Sequence, residues 1–146
     1  MRPIIVFTTL LLCSPLAFAL SPVNKAQLSG LAIKGYDPVS YYSEAKATKG
    51  KKDFEYEYQG AKWRFSSQKN LNQFKATPEA YAPQFGGYCA WAVSQGYTAN
   101  IDPKAWKIVK GKLYLNYNKS VQAKWEEDAE ALIKKGNSNW PKLLKE

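Results

Sequence analysis

Apolar positions in this chain come in short runs, and the period within each run predicts an element. Phe54, Tyr56 and Tyr58 alternate with Glu55 and Glu57, and Ala61, Trp63 and Phe65 alternate with Lys62 and Arg64. A period of two on both sides of Gln59-Gly60 predicts a β-hairpin. Trp106 and Ile108, then Leu113, Leu115 and Tyr117, flank Lys110-Gly111 and predict a second one. Between and around the hairpins the pattern is helical. Asp37-Pro38 supplies a cap and a first-turn proline for a short helix carrying Val39, Tyr41 and Tyr42. Ser66-Ser67 caps a helix through Leu71 and Phe74, which stops before Thr77-Pro78 and a further short turn around Tyr81. After Gly86-Gly87, the apolar run from Tyr88 to Val93 has no decisive period and reads as a short helix. Ser120 caps a final helix with Val121, Trp125, Ala129 and Ile133 on one face, Lys134 and Lys135 at its negative end and Gly136 closing it.

No internal repeat is visible. The elements add up to a small single α+β domain: an antiparallel sheet built from two hairpins, with short helices and a C-terminal helix. The domain is expected over residues 31–141, after a polar, irregular tether at 20–30 and before a tail at 142–146.

The start of the chain reads differently. Met1-Arg2 precedes Ile4-Ile5-Val6-Phe7 and Leu10-Leu11-Leu12, and the run closes on Ala17-Phe18-Ala19. This is the pattern of a secretory signal peptide over residues 1–19, too short for a membrane span and interrupted by Pro15. Leu12 is large where a lipoprotein leader has a small residue before its cysteine, so Cys13 does not mark a lipid anchor. The mature protein is expected to be exported, periplasmic or secreted, and soluble. No second long apolar run follows, so no membrane span is expected.

Composition removes chemistry. Lys and Arg total 21 against 12 Asp and Glu, for a net charge of +9, and histidine is absent. Without imidazole there is no Ser-His-Asp triad, no Cys-His dyad and no His-ligated metal or haem, and an enzyme would need Lys, Tyr or a carboxylate as its base. A binding module is therefore expected ahead of an enzyme. Beyond the leader, Cys89 is the sole cysteine and no methionine remains, so packing must hold the fold. One soft donor per chain does not close a zinc or Cu(I) site, and no cofactor is expected for a monomer; a thiol-bridged dimer would supply two. Glu126, Glu127, Asp128 and Glu130 read as an exposed helix face, and the Asp-Pro pairs at Asp37 and Asp102 as caps of turns or helices.

Cys89 supports two readings. In the first turn of a helix it would be a thiolate with a lowered pKa, a redox or catalytic group. Sharing a face with Ala92 and Val93, it would be a small buried hydrophobe. The aromatic residues divide in the same way: Tyr36, Tyr41, Tyr42, Trp63 and Tyr88 are either core or, with Asp37, the lining of a small-ligand pocket. Lys104, Lys107, Lys110, Lys112, Lys119 and Lys124 fall in a stretch without acids. They form either a basic strip for anionic partners or solvated edges that discourage aggregation. No nucleic-acid motif accompanies them.

Several motifs in one order carry a resemblance. Lys34-Gly35-Tyr36-Asp37-Pro38-Val39-Ser40-Tyr41-Tyr42, Tyr58-Gln59-Gly60-Ala61-Lys62-Trp63-Arg64-Phe65-Ser66-Ser67 and Pro78-Glu79-Ala80-Tyr81 resemble YHS-domain proteins. Phe85-Gly86-Gly87-Tyr88-Cys89-Ala90 and Gly111-Lys112-Leu113-Tyr114-Leu115-Asn116-Tyr117 resemble the exported, stand-alone branch of that family. The resemblance implies a module often attached to copper-transporting ATPases and some oxygenases, with metal held by cysteines. In such metal-type members cysteines stand where this chain has Ser40, Ser66 and Asn70. A transition metal is thus implied by the resemblance alone, and the expected partner is an unidentified small ligand or exported protein.

Overall fold

The structure is a computed structural model and describes residues 19–146; the leader expected over 1–19 lies outside them apart from Ala19. Helix α1 (Ser40–Ser43) leads into strands β1 (Lys51–Tyr58) and β2 (Ala61–Phe65), then α2 (Gln68–Ala76) and α3 (Pro78–Tyr81). Helix α4 (Ala90–Ser94) leads into β3 (Asp102–Val109) and β4 (Lys112–Asn116), then α5 (Lys119–Glu126) and α6 (Ala129–Leu143). Each hairpin is its own two-stranded antiparallel sheet. Both turn residues of each hairpin have positive φ, Gln59 and Gly60 at 49° and 74°, Lys110 and Gly111 at 50° and 77°. That is the type I′ geometry whose twist matches the flanking strands.

The two halves are built alike. Lys51↔Phe65, Tyr56↔Trp63 and Tyr58↔Ala61 in the first hairpin correspond at a constant offset to Asp102↔Asn116, Lys107↔Tyr114 and Val109↔Lys112 in the second, and both carry a register shift at the same place. Each hairpin feeds a side-chain-capped helix: Ser67 accepts from the Asn70 amide at 3.1 Å, and Asn118 from the Val121 amide at 2.8 Å. Each is preceded by a left-handed turn, Ile33–Gly35 and Gln84–Gly87, closed by Tyr36 N–H to the Ile33 carbonyl and Tyr88 N–H to the Phe85 carbonyl. Next, Asp37 N–H donates to the Thr48 carbonyl and Cys89 N–H to the Ala99 carbonyl. Phe74 in α2 and Trp125 in α5 take the same buried place. This tandem repeat corrects the reading that the chain has none. It rests on backbone hydrogen bonds and burial, which different side chains satisfy equally, and few identities survive beyond Gly35/Gly87, Tyr36/Tyr88 and Gly60/Gly111.

The α+β reading holds, but the hairpins expected to build one antiparallel sheet form two separate ones, because neither pairs its strands with the other and they meet through side-chain packing; there are also differences at the ends. Asn118 rather than Ser120 caps α5, and the final helix breaks at Glu127-Asp128 into two. Gly136 does not close a helix: it lies within α6, where a Cβ would sit 2.6 Å from Phe85 Cζ, so its missing side chain lets the helix cross that ring. Residues 20–24 pack against the domain, with Val23 2 % exposed and Asn24 N–H donating to the Gly86 carbonyl at 2.8 Å, while 25–29 are exposed. The chain end is also attached, since Leu143 is buried. One apolar cluster joins Trp63, Phe65 and Phe74 to Leu113 and Leu115, fusing the two units into one body, and a second gathers Phe85, Val93, Tyr114 and Trp125. Among the described residues no helix is long and apolar enough to cross a membrane.

Candidate functional site

Asp37 is the centre of the first unit. It is 0 % exposed, and five donors converge on its carboxylate. Oδ1 accepts from the Val39 amide at 2.8 Å and, more weakly, from the Ser40 amide at 3.4 Å. Oδ2 accepts from the Ser66 amide, the Ser66 hydroxyl and Asn70 Nδ2, each at 2.8 Å. The cap expected of Asp37 is therefore present, but the same side chain also ties the start of α1 to the end of β2 and to α2. Ser40 is buried alongside, its hydroxyl donating to the Asp37 carbonyl at 2.7 Å. A buried carboxylate without a cation among its partners is held by such donors in place of water.

Ser40, Ser66 and Asn70 are the positions at which the resemblance implies thiolates, and here they do not fit a metal. The Ser66 hydroxyl and the Asn70 amide point their protons at Asp37, and the carboxylate oxygens are already occupied by protein donors. Hydroxyl and amide groups are also the wrong partners for a soft ion. Among the described residues no three of His, Cys, Asp and Glu come together as a ligand set.

Cys89 caps the backbone of α4, and its thiol is 1 % exposed. Its carbonyl accepts from the Val93 amide, and Sγ donates to Asn116 Oδ1 at 3.6 Å. The Trp91 amide donates to that same oxygen at 3.0 Å, which fixes the amide of Asn116 and leaves Nδ2 buried without a partner. Cys89 packs with Ala92 in the larger cluster, whereas Val93 belongs to the other. A thiol enclosed in this way is expected to react with iodoacetamide far more slowly in the folded protein than in denaturant. Cys89→Ser is expected to cost only about 1 kcal/mol, because Asn116 Oδ1 offers the new hydroxyl an acceptor. Native alkylation as fast as denatured alkylation would make Cys89 a reactive thiol.

The other expected residues do not gather around one point. Tyr36 is half-buried against the larger cluster. Trp63 is buried and donates Nε1–H to the Tyr58 carbonyl at 3.0 Å. Tyr88 donates its hydroxyl to the Ser21 carbonyl at 3.0 Å, and its ring lies 5.8 Å from that of Trp140. Tyr41 belongs to the core: it donates to the Pro103 carbonyl at 2.7 Å, and burial pushes its phenol far above the ordinary range. All six lysines of the strip are exposed, but the strip is not free of acids in space. Lys107 stands 3.9 Å from Glu126 and Lys110 3.1 Å from Glu130, carboxylates from α5 and α6. Exposed pairs of this kind contribute little stability, yet they offset the field of the strip.

A cleft of about 370 Å³ opens where the two units meet the chain ends, within the size range of small-molecule sites. The first hairpin contributes Tyr58, Gln59 and Trp63, α3 contributes Glu79, the second left-handed turn contributes Phe85 and Gly86, and α6 contributes Trp140. Of these only Trp63 was singled out from the sequence. Trp140 lies near the end of α6, and neither its neighbours in sequence nor those of Glu79 signal that tertiary packing brings them to one opening.

A small α+β module of two hairpin–helix units, with one unit clasped around a buried aspartate, is the class that fold and site define. Residues 39–85 match the family model of the YHS domain, a match that covers most of the first unit and ends at Phe85 in the second left-handed turn. Comparison with curated proteins and with solved structures returns no significant match.

Proposed function

We propose that this protein is an exported, non-catalytic binding module of the YHS type whose working surface is the aromatic cleft, not the position of the family's thiolates. The cleft carries the reading: it is open, aromatic and polar in its lining, while the clasp around Asp37 is saturated by its own donors and Cys89 is enclosed. Burial of Cys89 with a single oxygen contact likewise favours binding over thiol redox chemistry. The Ala17-Phe18-Ala19 motif supports export.

Native mass spectrometry of protein purified from its own periplasm tests the proposal. The expected species is a chain beginning at or within a few residues of Leu20, carrying a small organic ligand. A start far from Leu20 would remove export. In competition with a chelator, zinc and Cu(I) are expected to stay with the chelator, because Ser40, Ser66 and Asn70 are poor soft-metal donors. One tightly held ion per monomer would return the family's metal role to this chain.

A further inference from the structure

The lining of the cleft is unusual for this protein. The chain carries 21 Lys and Arg, yet among the described residues none lines the cleft, and Glu79 is the one charged side chain there. Tyr58 and Trp140, from different elements, are both half-buried there. Each ring is held from behind: Trp140 packs on Phe85 and Tyr88, at 6.3 and 5.8 Å between centroids, and Tyr58 on Phe74 at 5.6 Å, edge to face. Burial, and after it the Glu79 carboxylate next to it, raise the Tyr58 phenol above its ordinary range, so the hydroxyl stays protonated beside that acid.

Three ligand classes can be separated by this chemistry. An anion finds no cationic partner. A metal ion finds one carboxylate, too few hard donors for a site. An organic cation finds aromatic faces, which attract it through their quadrupoles, and a carboxylate to offset its charge. We propose that the cleft binds a small organic cation, an alkylammonium or quaternary ammonium compound, with Tyr58 and Trp140 as its aromatic walls and Glu79 as its counter-charge. This rests on the cleft being the working surface, and it adds the ligand's class.

The test is titration of the mature protein, followed by the indole signal of Trp140 and the amide signals of Tyr58 and Gln59 in NMR spectra. The probes are choline, its uncharged tert-butyl isostere with carbon in place of nitrogen, and acetate. Choline is expected to saturate these signals with an affinity about tenfold or more above that of the isostere. Glu79→Gln, an exposed and structurally mild change, should bring choline down towards the isostere, and Trp140→Leu should weaken both. Equal affinity of choline and isostere, no saturation by choline, or full choline binding by the Glu79→Gln variant overturns the cation assignment. Saturation by acetate or the isostere alone does so too, while leaving the cleft as the working surface. A natively purified ligand that shifts signals around Ser66 or Cys89 but none in the cleft overturns that reading itself.

Discussion

Asp37→Ala is expected to destabilise the protein by about 3–5 kcal/mol, read as a lowered urea midpoint at unchanged m-value. The loss is large because the substitution removes the acceptor of the Val39 amide and of the Ser66 amide and hydroxyl, and leaves Asn70 Nδ2 only its longer contact to Ser66 Oγ at 3.3 Å. Each hydrogen bond to a charged group is worth about 1.5–3 kcal/mol, and part of that total returns as the site relaxes. Asp37→Asn should not rescue it. One amide oxygen can still cap α1, but the amide nitrogen then faces the Ser66 and Asn70 donors. Asp102→Ala is the control, since Asp102 also precedes a proline yet accepts only the Lys104 amide, at 2.9 Å, in an exposed setting. Its cost should be about 1 kcal/mol or less. A loss for Asp37→Ala no larger than for Asp102→Ala would mean that the clasp does not hold the first unit together.

Gly86→Ala is expected to cost about 2–4 kcal/mol and to release the N-terminal segment. Gly86 has φ +62°, and a Cβ there would run into the backbone carbonyl of Pro22, with Trp140 Cη2 another 3.3 Å away. A backbone carbonyl cannot rotate aside as a flexible side chain can, so residues 20–24 must lift, and the hydrogen bond from Asn24 N–H to the Gly86 carbonyl goes with them. Limited proteolysis near the N-terminus should accelerate, and ligand binding in the cleft should fall even where the domain stays folded, because Pro22 and Gly86 both line it. Gly96→Ala separates conformation from collision. Gly96 has φ +92° with nothing within 4 Å of a Cβ, so that variant carries only the backbone strain, about 1 kcal/mol. Equal losses at Gly86 and Gly96 would show that the contact with Pro22 is unimportant.

Both predictions depend on distinctions that no local pattern contains. Asp37-Pro38 and Asp102-Pro103 look the same in the sequence, and both read as caps; only the return of β2 and α2 onto Asp37 makes one of them the buried centre of a unit. Gly86 and Gly136 read as breaks in the chain. In the fold, one marks the approach of residues 20–24 and the other the crossing of α6 over Phe85. Cys89 was open between core and reactive thiol until the position of Asn116, distant in sequence, enclosed it.

What the sequence by itself determined is local. Period-two runs around Gln59-Gly60 and Lys110-Gly111 set the hairpins, Ser67 set the start of α2, and the missing histidine excluded whole classes of chemistry. These follow from nearest neighbours, backbone preference and the inventory of side chains. Tertiary structure alone decided the tandem repeat, the clasp around Asp37, the pairing of Lys107 with Glu126 and of Lys110 with Glu130, and the cleft that joins Tyr58 and Glu79 to Trp140. Each of these depends on residues far apart in the chain meeting through packing. Packing tolerates many side chains at one place, so it leaves no periodic trace in the sequence that specifies it.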